Sequence, residues 1–355
     1  MKEEFLRFVT GMLGAEKFSL LDIGCSGGID PVWRLFEPRL QALGIDASET
    51  ECCRLTEQER NPHVSYVSAF ISGGQPFDIS MNRRITALHK RLSYTWFREI
   101  RRKPPGATRM ADPQRTIVAR DLLAERSWDC LDYLKIDVDG PDFQILKSFE
   151  DWFDALGILC VQVEVNFSGA GEPDEHSFHN TDRLLRQHGF DLFRLDNRTY
   201  SMRALPACFA ITEPAQTVGG RVVQGDAYYA RDPIATGRSL TAVQLLKLAA
   251  VLSAWNLPDC SAEILLNWRE RFGSLVDVNY ALDLLAAQAQ VGEDSILSYR
   301  DYMAEFATQA PRFFPPPNVA ISKPTFWSRV RAAHAAYWDW YYADSVERTR
   351  KKLRR

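Results

Sequence analysis

Residues 133–146 read YLKIDVDGPDFQIL, and this stretch combines the pattern of a buried strand with charged residues at alternate positions. Successive side chains of a strand point to opposite faces, so Lys135 and Asp137 share one face and the apolar residues between them share the other. Central parallel strands are normally apolar on both faces. For Lys135 we expect a structural ion pair, with Asp137 or Glu164 as its partner.

A second strand-like segment, ILCVQVEVNF at 158–167, repeats this division and places Gln162, Glu164 and Asn166 on one face. Polar groups buried without partners are costly, so the two polar rows should meet each other, a ligand or a metal. In open α/β sheets the ligand crevice lies outside the carboxyl ends of the strands. We therefore expect Asp137 and Glu164 to line a cleft, together with Asp139.

The first 165 residues alternate strand-like and helix-like patterns, which predicts an α/β fold of Rossmann-like type with a mostly parallel sheet covered by helices on both faces. Further strands are expected at 17–24, 40–46 and 64–71, and helices at 29–40, 48–60 (with Ser48 as N-cap) and 143–156. Segments 190–196 and 200–211 are expected to form a terminal antiparallel pair.

Beyond about residue 237 the apolar residues recur at helical spacing and the strand pattern disappears. A chain of 355 residues is long enough for two domains. We therefore predict a catalytic domain at 1–236, with a basic insert at about 76–115, and an α-helical C-terminal domain at 237–355.

The segment LLDIGCSGG, residues 20–28, has the form of a strand that enters a glycine turn and then a helix. Ser26 occupies the second glycine position of the dinucleotide-binding pattern, so the pyrophosphate cradle is not expected. Asp46 ends the next predicted strand, where an acid can accept both ribose hydroxyls. A ribose site without a pyrophosphate site favours S-adenosylmethionine over NAD. The alternative is an ordinary strand–turn–helix glycine with a surface aspartate.

Together, YLKIDVDGPDFQILKS and the following VQVEVNF resemble the FkbM family of S-adenosylmethionine-dependent methyltransferases. That family carries an L-K-I-D-V-E-G segment followed by a V-E-V strand, and the resemblance covers about residues 18–167. It implies a class I methyltransferase fold and, usually, O-methylation of a sugar or polyketide hydroxyl. The acceptor expected here is a sugar hydroxyl of a polysaccharide, glycolipid or nucleotide sugar, which indicates a role in polysaccharide biosynthesis.

The resemblance also implies which residues form the site. Asp137 and Glu164 belong to its catalytic face. Asp46-Ala47 replaces the family's usual Glu-Pro, and Asp139-Gly140 replaces its usual Glu-Gly. The residues expected to bind the cofactor are Asp22, Gly24, Cys25, Gly27, Gly28, Asp46 and Ala47.

A sugar hydroxyl is a weak nucleophile that needs a base within hydrogen-bond reach or a metal that lowers its pKa. Asp137 and Glu164 are candidates for the base, and together with Asp139 they are also candidate oxygen ligands for a hard divalent ion. His176 and His179, which follow the Glu164 strand, are alternative bases. Our hypothesis is base catalysis without an obligatory metal, and no metal ligand is assigned.

The basic insert has ten Lys or Arg against two acids between Met81 and Arg115, interleaved with Tyr94, Trp96 and Phe97. Aromatic rings pack on sugar faces and arginines pair with carboxylate or phosphate, so one interpretation is a lid over an anionic acceptor. A solvated basic helix is the alternative. Nucleic acid is not an expected partner, because no binding motif is present and the net charge is -3.

Seven scattered cysteines without a CxxC pair indicate a reducing, cytoplasmic setting. The N-terminal segment has the spacing of an amphipathic helix rather than a secretory signal. The C-terminal segment 336–355 joins clustered aromatics to six basic residues. It is a candidate for peripheral contact with an anionic membrane, for packing on its own domain, or for a homo-oligomer interface. Two alternative functions stay open: a non-catalytic interaction protein with a vestigial nucleotide site, and an NAD-dependent enzyme.

Overall fold

The computed structural model describes residues 2–73, 87–93, 116–138, 140–169, 171–210, 216–290 and 295–313. The predicted basic insert and the C-terminal aromatic and basic segment lie largely or wholly outside these residues, as does Asp139. The strands are β1 Phe18–Ile23, β2 Leu40–Asp46, β3 Val64–Ser68, β4 Phe70–Ile71, β5 Thr116–Ile117, β6 Tyr133–Ile136, β7 Cys160–Asn166, β8 Asp191–Tyr200 and β9 Arg221–Ala230. The helices are α1 Lys2–Met12, α2 Glu49–Gln58, α3 Ala119–Glu125, α4 Asp142–Lys147, α5 Phe178–Gln187, α6 Pro233–Thr236, α7 Ala242–Ala254, α8 Pro258–Asn267, α9 Arg269–Phe272, α10 Val278–Ala289 and α11 Tyr299–Gln309.

Seven strands form one mixed sheet in the order β3-β2-β1-β6-β7-β9-β8. The five strands from β3 to β7 are parallel, and β9 is antiparallel to β7. The chain moves outward from β1 through β2 to β3 and then crosses to β6 on the other side of β1. This reversal creates the switch point between β1 and β6 at which open α/β sheets bind ligands. The predicted α/β, Rossmann-like fold class is confirmed.

The helix predicted at residues 29–40 is wrong. The structure has a short 3-10 helix there, Trp33–Phe36. Pro38 lacks an amide hydrogen and restricts the residue before it, so a helix cannot continue to Leu40. Several of the apolar residues that suggested a helix are still buried. The Phe36 ring, for example, stacks on Phe18 with a centroid separation of 4.0 Å.

The terminal pair of strands is present, but its second strand is not the predicted segment 200–211. β8 is paired with β9 at residues 221–230, whereas the described part of 201–211 forms turns and isolated bridges. The sequence RVVQGDAYYA alternates only weakly, and Gly225 interrupts it. That glycine is required by close packing, since a Cβ there would lie 2.5 Å from the carbonyl oxygen of Asp196 on β8.

The sheet has two unlike faces, which we name by residues of β6. The Leu134 face is apolar along the whole length of the strands, and helices including α3, α4 and α5 cover it. The Tyr133 face is apolar only near the amino ends of the strands. There α1, the 3-10 turn and α7 cover Leu20, Ala42 and Tyr133. Towards the carboxyl ends, the Tyr133 face becomes polar.

The C-terminal helices pack on the Tyr133 face together with α1, which contacts both α7 and α10. One compact unit therefore combines Met1–Thr86, Pro104–Asn197 and Gln224–Thr308, and the predicted domain boundary at 236/237 falls inside it. The second unit combines Ala87–Lys103, Arg198–Val223 and Gln309–Arg355. Its described part contains a small apolar cluster made of Leu88, Leu92, Tyr200 and Val223. Within the described ranges, no helix is long and apolar enough to cross a bilayer.

A buried ion pair joins α7 to the amino-terminal edge of the sheet. Lys247 Nζ lies 2.9 Å from Asp132 Oδ2, and both side chains are less than a tenth exposed. The same carboxylate accepts hydrogen bonds from the backbone N–H and the hydroxyl of Ser19 on β1. These bonds compensate the carboxylate for its lost hydration and fix α7 against β1 and β6.

Candidate functional site

The strand register places polar residues of neighbouring strands side by side on the Tyr133 face. Residues paired in register project to the same face, because the pleats of adjacent strands are in phase. We call the first set the inner row, and its members are Gly44, Asp22, Lys135, Gln162 and Tyr228. The outer row lies two positions further towards the carboxyl ends of the parallel strands and consists of Asp46, Gly24, Asp137, Glu164 and, on the antiparallel strand β9, Asp226.

The inner row contains the ion-pair partner of Lys135, which is Asp22 and neither Asp137 nor Glu164. Its Nζ lies 2.8 Å from Asp22 Oδ1 on the neighbouring strand and 3.4 Å from the carbonyl oxygen of Gly24. Burial raises the pKa of Asp22, and the attraction of Lys135 opposes that rise. Burial alone would lower the pKa of Lys135, but the Asp22 charge raises it overall. The expectation of a structural ion pair is confirmed, and the predicted partners are wrong.

Gly24 ends β1 at the switch point, with a φ of +90°. A Cβ at this position would lie 1.8 Å from the carbonyl oxygen of Asp137, so only glycine allows the β1 turn and the end of β6 to come this close. Gly27 also has a positive φ, of +88°, but a Cβ there would have no neighbour within 4 Å. The turn thus combines tight backbone packing at its base with open space at its tip.

Glu51, on α2, contacts the tip of this turn and was not predicted. Its Oε1 accepts a hydrogen bond from the backbone N–H of Gly27 at 3.0 Å. Arg54 donates to the other carboxylate oxygen at 2.8 Å, and this hydrogen bond lowers the pKa of Glu51. The signal in the sequence is an acid in the first turn of a helix that follows a predicted ribose acid.

Asp46 lies at the end of β2, where it was predicted. Its Oδ1 accepts a hydrogen bond from the backbone N–H of Ser48 at 2.8 Å, while Oδ2 has no hydrogen-bond partner among the described residues. Ala47 is exposed beside it. Ser48 is the N-cap of α2, as predicted, and accepts from the backbone N–H of Glu51. Asp46 therefore keeps one oxygen available for a ligand hydroxyl.

Cys25 is buried in the glycine turn, and burial raises the pKa of its thiol well above the ordinary value. Cys52 on α2 has its pKa raised to about 11, again chiefly by burial. Neither thiol forms an appreciable amount of thiolate at neutral pH. All seven cysteines are free.

The predicted catalytic residues occupy different environments. Glu164 is 4% exposed, and Gln224 of β9 donates a hydrogen bond to its Oε1 at 3.0 Å. Asp137 is half-buried at the end of β6, and its backbone N–H bonds the carbonyl oxygen of Ile23. His179 is exposed on α5, whereas His176 is buried in the loop before that helix. The structure thus brings Asp137 and Glu164 to neighbouring strand ends.

Asp142 shapes the turn that follows β6, and sequence reasoning placed it only near the start of the next helix. Its side chain is fully buried. One carboxylate oxygen accepts from the backbone N–H of Val138 and the other from that of Gly140, both at 2.9 Å. Asp142 therefore closes the turn and fixes the backbone on the carboxyl side of Asp137.

Aromatic and charged residues border the polar part of the Tyr133 face at the end of α7. Trp255 donates a hydrogen bond from Nε1 to the Tyr133 hydroxyl at 3.2 Å, and its ring contacts Tyr228. Arg194 donates to the carbonyl oxygen of Trp255 and forms a bidentate pair with Asp196. The helical layer therefore ends where the polar rows begin, which leaves their carboxyl side without helix cover from α7.

Groups of three or more His, Cys, Asp or Glu side chains that are able to hold a metal ion are absent from the part of the chain that the structure describes. Asp139, a candidate oxygen ligand, lies outside that part. Among the carboxylates near the strand ends, Asp22 pairs with Lys135 and Glu164 accepts a hydrogen bond from Gln224. Asp142 accepts from backbone N–H groups.

Several solved structures match parts of this chain at low sequence identity. A TehB-like SAM-dependent methyltransferase from Corynebacterium glutamicum ATCC 13032 Kitasato is 12% identical, with a TM-score of 0.27, over 63% of this chain and 87% of that one. Magnesium protoporphyrin IX methyltransferase from Synechocystis PCC 6803, solved with bound SAH, is 10% identical, with a TM-score of 0.31, over 65% and 83%. An O-methyltransferase from Bacillus cereus in complex with SAH is 12% identical, with a TM-score of 0.32, over 65% and 80%.

No curated protein matches the sequence at a significant level. The family model of the methyltransferase FkbM domain matches residues 48–192. This range contains α2, the β6 strand with its closing turn, and β7 with Glu164, and it begins two residues after Asp46. Residues 48–192 of this chain are therefore similar to the methyltransferase FkbM domain.

Proposed function

We propose that this protein is an S-adenosylmethionine-dependent O-methyltransferase that acts on a sugar hydroxyl. The observation that carries the proposal is the outer row, in which the glycine turn, Asp46, Asp137 and Glu164 occupy the carboxyl ends of adjacent parallel strands. A methyltransferase domain needs a nucleoside site and an acceptor site next to each other, and the switch point of an open α/β sheet supplies such a crevice.

The residues present fit the proposed cofactor. Gly27 has open space beside it, which admits a ligand close to the backbone, and Asp46 Oδ2 can accept hydrogen bonds from a ribose. Lys135 neutralises Asp22 beneath the turn, so the base of the site is rigid. When bound, S-adenosylmethionine supplies an electrophilic methyl group on a sulfonium centre.

The chain's own residues would orient the acceptor and remove its proton. Asp137 and Glu164 lie at neighbouring strand ends, and either carboxylate is a candidate base for the hydroxyl. The hydrogen bond from Gln224 holds the Glu164 carboxylate in one orientation. His179, on the exposed side of α5, is a weaker candidate and stays a prediction. The proposed reaction therefore depends on positioning and on one proton transfer.

Calorimetric titration with S-adenosylhomocysteine tests the cofactor site. We expect micromolar binding by the wild type and its loss in Asp46→Ala. Glu49→Ala is a matched control, because Glu49 is exposed on the first turn of α2, close to Asp46 in sequence, and its side chain forms no hydrogen bond or ion pair with the described residues. A folded wild type that does not bind would refute the proposal, and equal binding by both variants would refute the role of Asp46.

Metal dependence is tested separately. We propose base catalysis without an obligatory metal, so methyl transfer should survive dialysis against EDTA. Loss of turnover with EDTA and recovery with Mg²⁺ would show instead that carboxylates of the outer row, with Asp139, hold a divalent ion.

The acceptor class rests on the family resemblance and on the basic insert with its aromatic residues. An anionic glycan, lipid-linked sugar or nucleotide sugar in the cytoplasm suits this composition. Charge reversal of Arg101, Arg102 and Lys103 should raise the KM for an anionic acceptor while leaving cofactor binding unchanged. An unchanged KM would argue against a role of the insert in acceptor binding.

A further inference from the structure

We propose that His176 is a positioning residue that holds the two carboxylate-bearing strand ends together by donating a hydrogen bond from each ring nitrogen. Nδ1 lies 3.0 Å from the carbonyl oxygen of Gly140, and Nε2 lies 2.7 Å from the carbonyl oxygen of Glu164. Gly140 belongs to the turn that follows Asp137, and Glu164 is itself a candidate base. The inference builds on the proposed function, because it concerns residues assigned to that site.

The two short contacts determine the protons on the ring. A backbone carbonyl oxygen only accepts, so each contact requires an N–H on the imidazole. Neutral histidine has one N–H and could satisfy only one of the two carbonyls. The geometry therefore calls for a ring that is protonated at both Nδ1 and Nε2.

Asp142 provides the opposite charge for such a ring. Its Oδ2 lies 3.6 Å from His176 Nδ1, and its side chain is 0% exposed while that of His176 is 8% exposed. A buried carboxylate needs compensating donors or a positive charge. Backbone N–H groups of Val138 and Gly140 supply two donors, and the protonated ring supplies the charge.

Asn166 offers the competing arrangement. Its Nδ2 lies 3.4 Å from His176 Nδ1, and an amide that donated into Nδ1 would require that nitrogen to be unprotonated. In that case the Gly140 carbonyl would face a lone pair at 3.0 Å. Turning the Asn166 amide so that its oxygen faces the ring removes the conflict, because Nδ1–H is then shared between two acceptors.

His176 and Asp142 together fix the separation of the two strand ends at the site. Asp142 fixes the N–H groups on either side of position 139, and His176 ties the carbonyl at the end of the same turn to β7. The distance between the backbones that carry Asp137 and Glu164 thus depends on a loop residue outside both strands. His176 is therefore a positioning residue that acts through the Gly140 turn and β7.

Nuclear magnetic resonance of the protein with ¹⁵N-labelled histidine tests the protonation directly. The chain has six histidines, so substitution of each by glutamine assigns the ring signals. If His176→Gln fails to fold, the other five variants assign the remaining signal to His176 by elimination. At neutral pH we expect both ring nitrogens of His176 to carry a proton. A single protonated nitrogen would overturn the proposal.

Hydrogen exchange tests the coupling to the site. In His176→Gln the amides of Val138 and Gly140 should exchange at least about tenfold faster than in the wild type, since opening of the turn exposes them. His63→Gln is the control, because His63 is exposed and its hydrogen bonds to the described residues are made by its backbone at the amino end of β3. Unchanged exchange in His176→Gln would overturn the positioning role.

Once an acceptor that the enzyme methylates has been identified, kcat can be measured for His176→Gln. We expect kcat to fall by about 10²-fold, because reacting groups displaced by about 1 Å lose about this factor in rate. The KM and the affinity for S-adenosylhomocysteine should stay unchanged. An unchanged kcat would contradict the proposal. The magnetic resonance and exchange measurements need no substrate. They therefore remain decisive even if S-adenosylhomocysteine does not bind and the proposed function fails.

Discussion

Lys247 on α7 and Asp132, immediately before β6, form an ion pair with an Nζ–Oδ2 distance of 2.9 Å, and both side chains are less than a tenth exposed. The pair links a helix in the last third of the chain to the strand that carries the candidate catalytic Asp137. It shows how the sheet and the C-terminal helices are held as one unit.

Replacing Lys247 with Met should lower the free energy of unfolding by about 3–5 kcal/mol, because it leaves a buried carboxylate without its charge partner. The double variant Lys247→Met/Asp132→Asn should recover part of this loss. Urea denaturation measures both. Lys147→Met, which removes an exposed pair with Asp174, is the control and should cost at most about 1 kcal/mol. Equal effects at the two lysines would contradict the assigned burial.

Alanine at Gly24 should disrupt the site more than alanine at Gly27. At Gly24 the new Cβ meets the Asp137 carbonyl oxygen at 1.8 Å, so the turn must move away from β6. At Gly27 there is space, and the cost is the strain of a positive φ, about 1–3 kcal/mol. Thermal unfolding and titration with S-adenosylhomocysteine measure the difference. A Gly24→Ala protein that binds as well as Gly27→Ala would refute the close packing.

Removing Lys135 should make stability more dependent on pH. Burial raises the pKa of Asp22 above its unfolded value of about 3.9, so the protonated carboxyl is favoured in the folded state. The free energy of unfolding therefore falls as pH rises from about 4 through the raised pKa. In Lys135→Met the opposing attraction is lost and the pKa of Asp22 rises further, so the fall extends to higher pH.

Urea denaturation between about pH 4 and pH 8 measures this dependence. The double variant Lys135→Met/Asp22→Asn has no carboxylate to ionise at this position and should lose the added pH dependence. If the single and double variants gave parallel profiles, Asp22 would not be the group responsible.

The two candidate bases can be separated by substitution. Asp137→Asn and Glu164→Gln keep the size of each side chain, and Gln at 164 can still accept the hydrogen bond from Gln224. The variant that removes the base should lose about 10²–10⁴-fold in kcat, with unchanged affinity for S-adenosylhomocysteine. The wild-type rate should fall at low pH as that base becomes protonated. If neither variant lost activity, His179 would become the next base to test.

The sequence predicts local elements well where one pattern governs them. Positions of β1, β2, β6 and β7 follow from apolar runs that end in polar residues, and Ser48 follows from its place before a helix. The helix expected at 29–40 fails because Pro38 outweighs the apolar spacing. β9 was missed because Gly225 breaks its alternation, although close strand packing demands a glycine there.

Long-range partners were harder to predict. Identifying Asp22 as the partner of Lys135 requires the register between β1 and β6, which no local pattern contains. Lys247 does carry a signal, since a lysine in the apolar helix AVQLLKLAAV needs a buried counter-charge, but the sequence does not identify Asp132. The burial of His176 has no local signal, because its partners are backbone carbonyls of two other segments.

The packing of α1 between α7 and α10 has a consequence for biosynthesis. The ribosome makes Phe5, Leu6 and Val9 before residues 242–289, whose helices α7 and α10 contact α1. The emerging chain therefore keeps part of the apolar face of α1 exposed until most of the protein has been synthesised, a state prone to aggregation. A fragment that stops at residue 236 would leave this part of α1 exposed permanently, so we expect such a fragment to be insoluble.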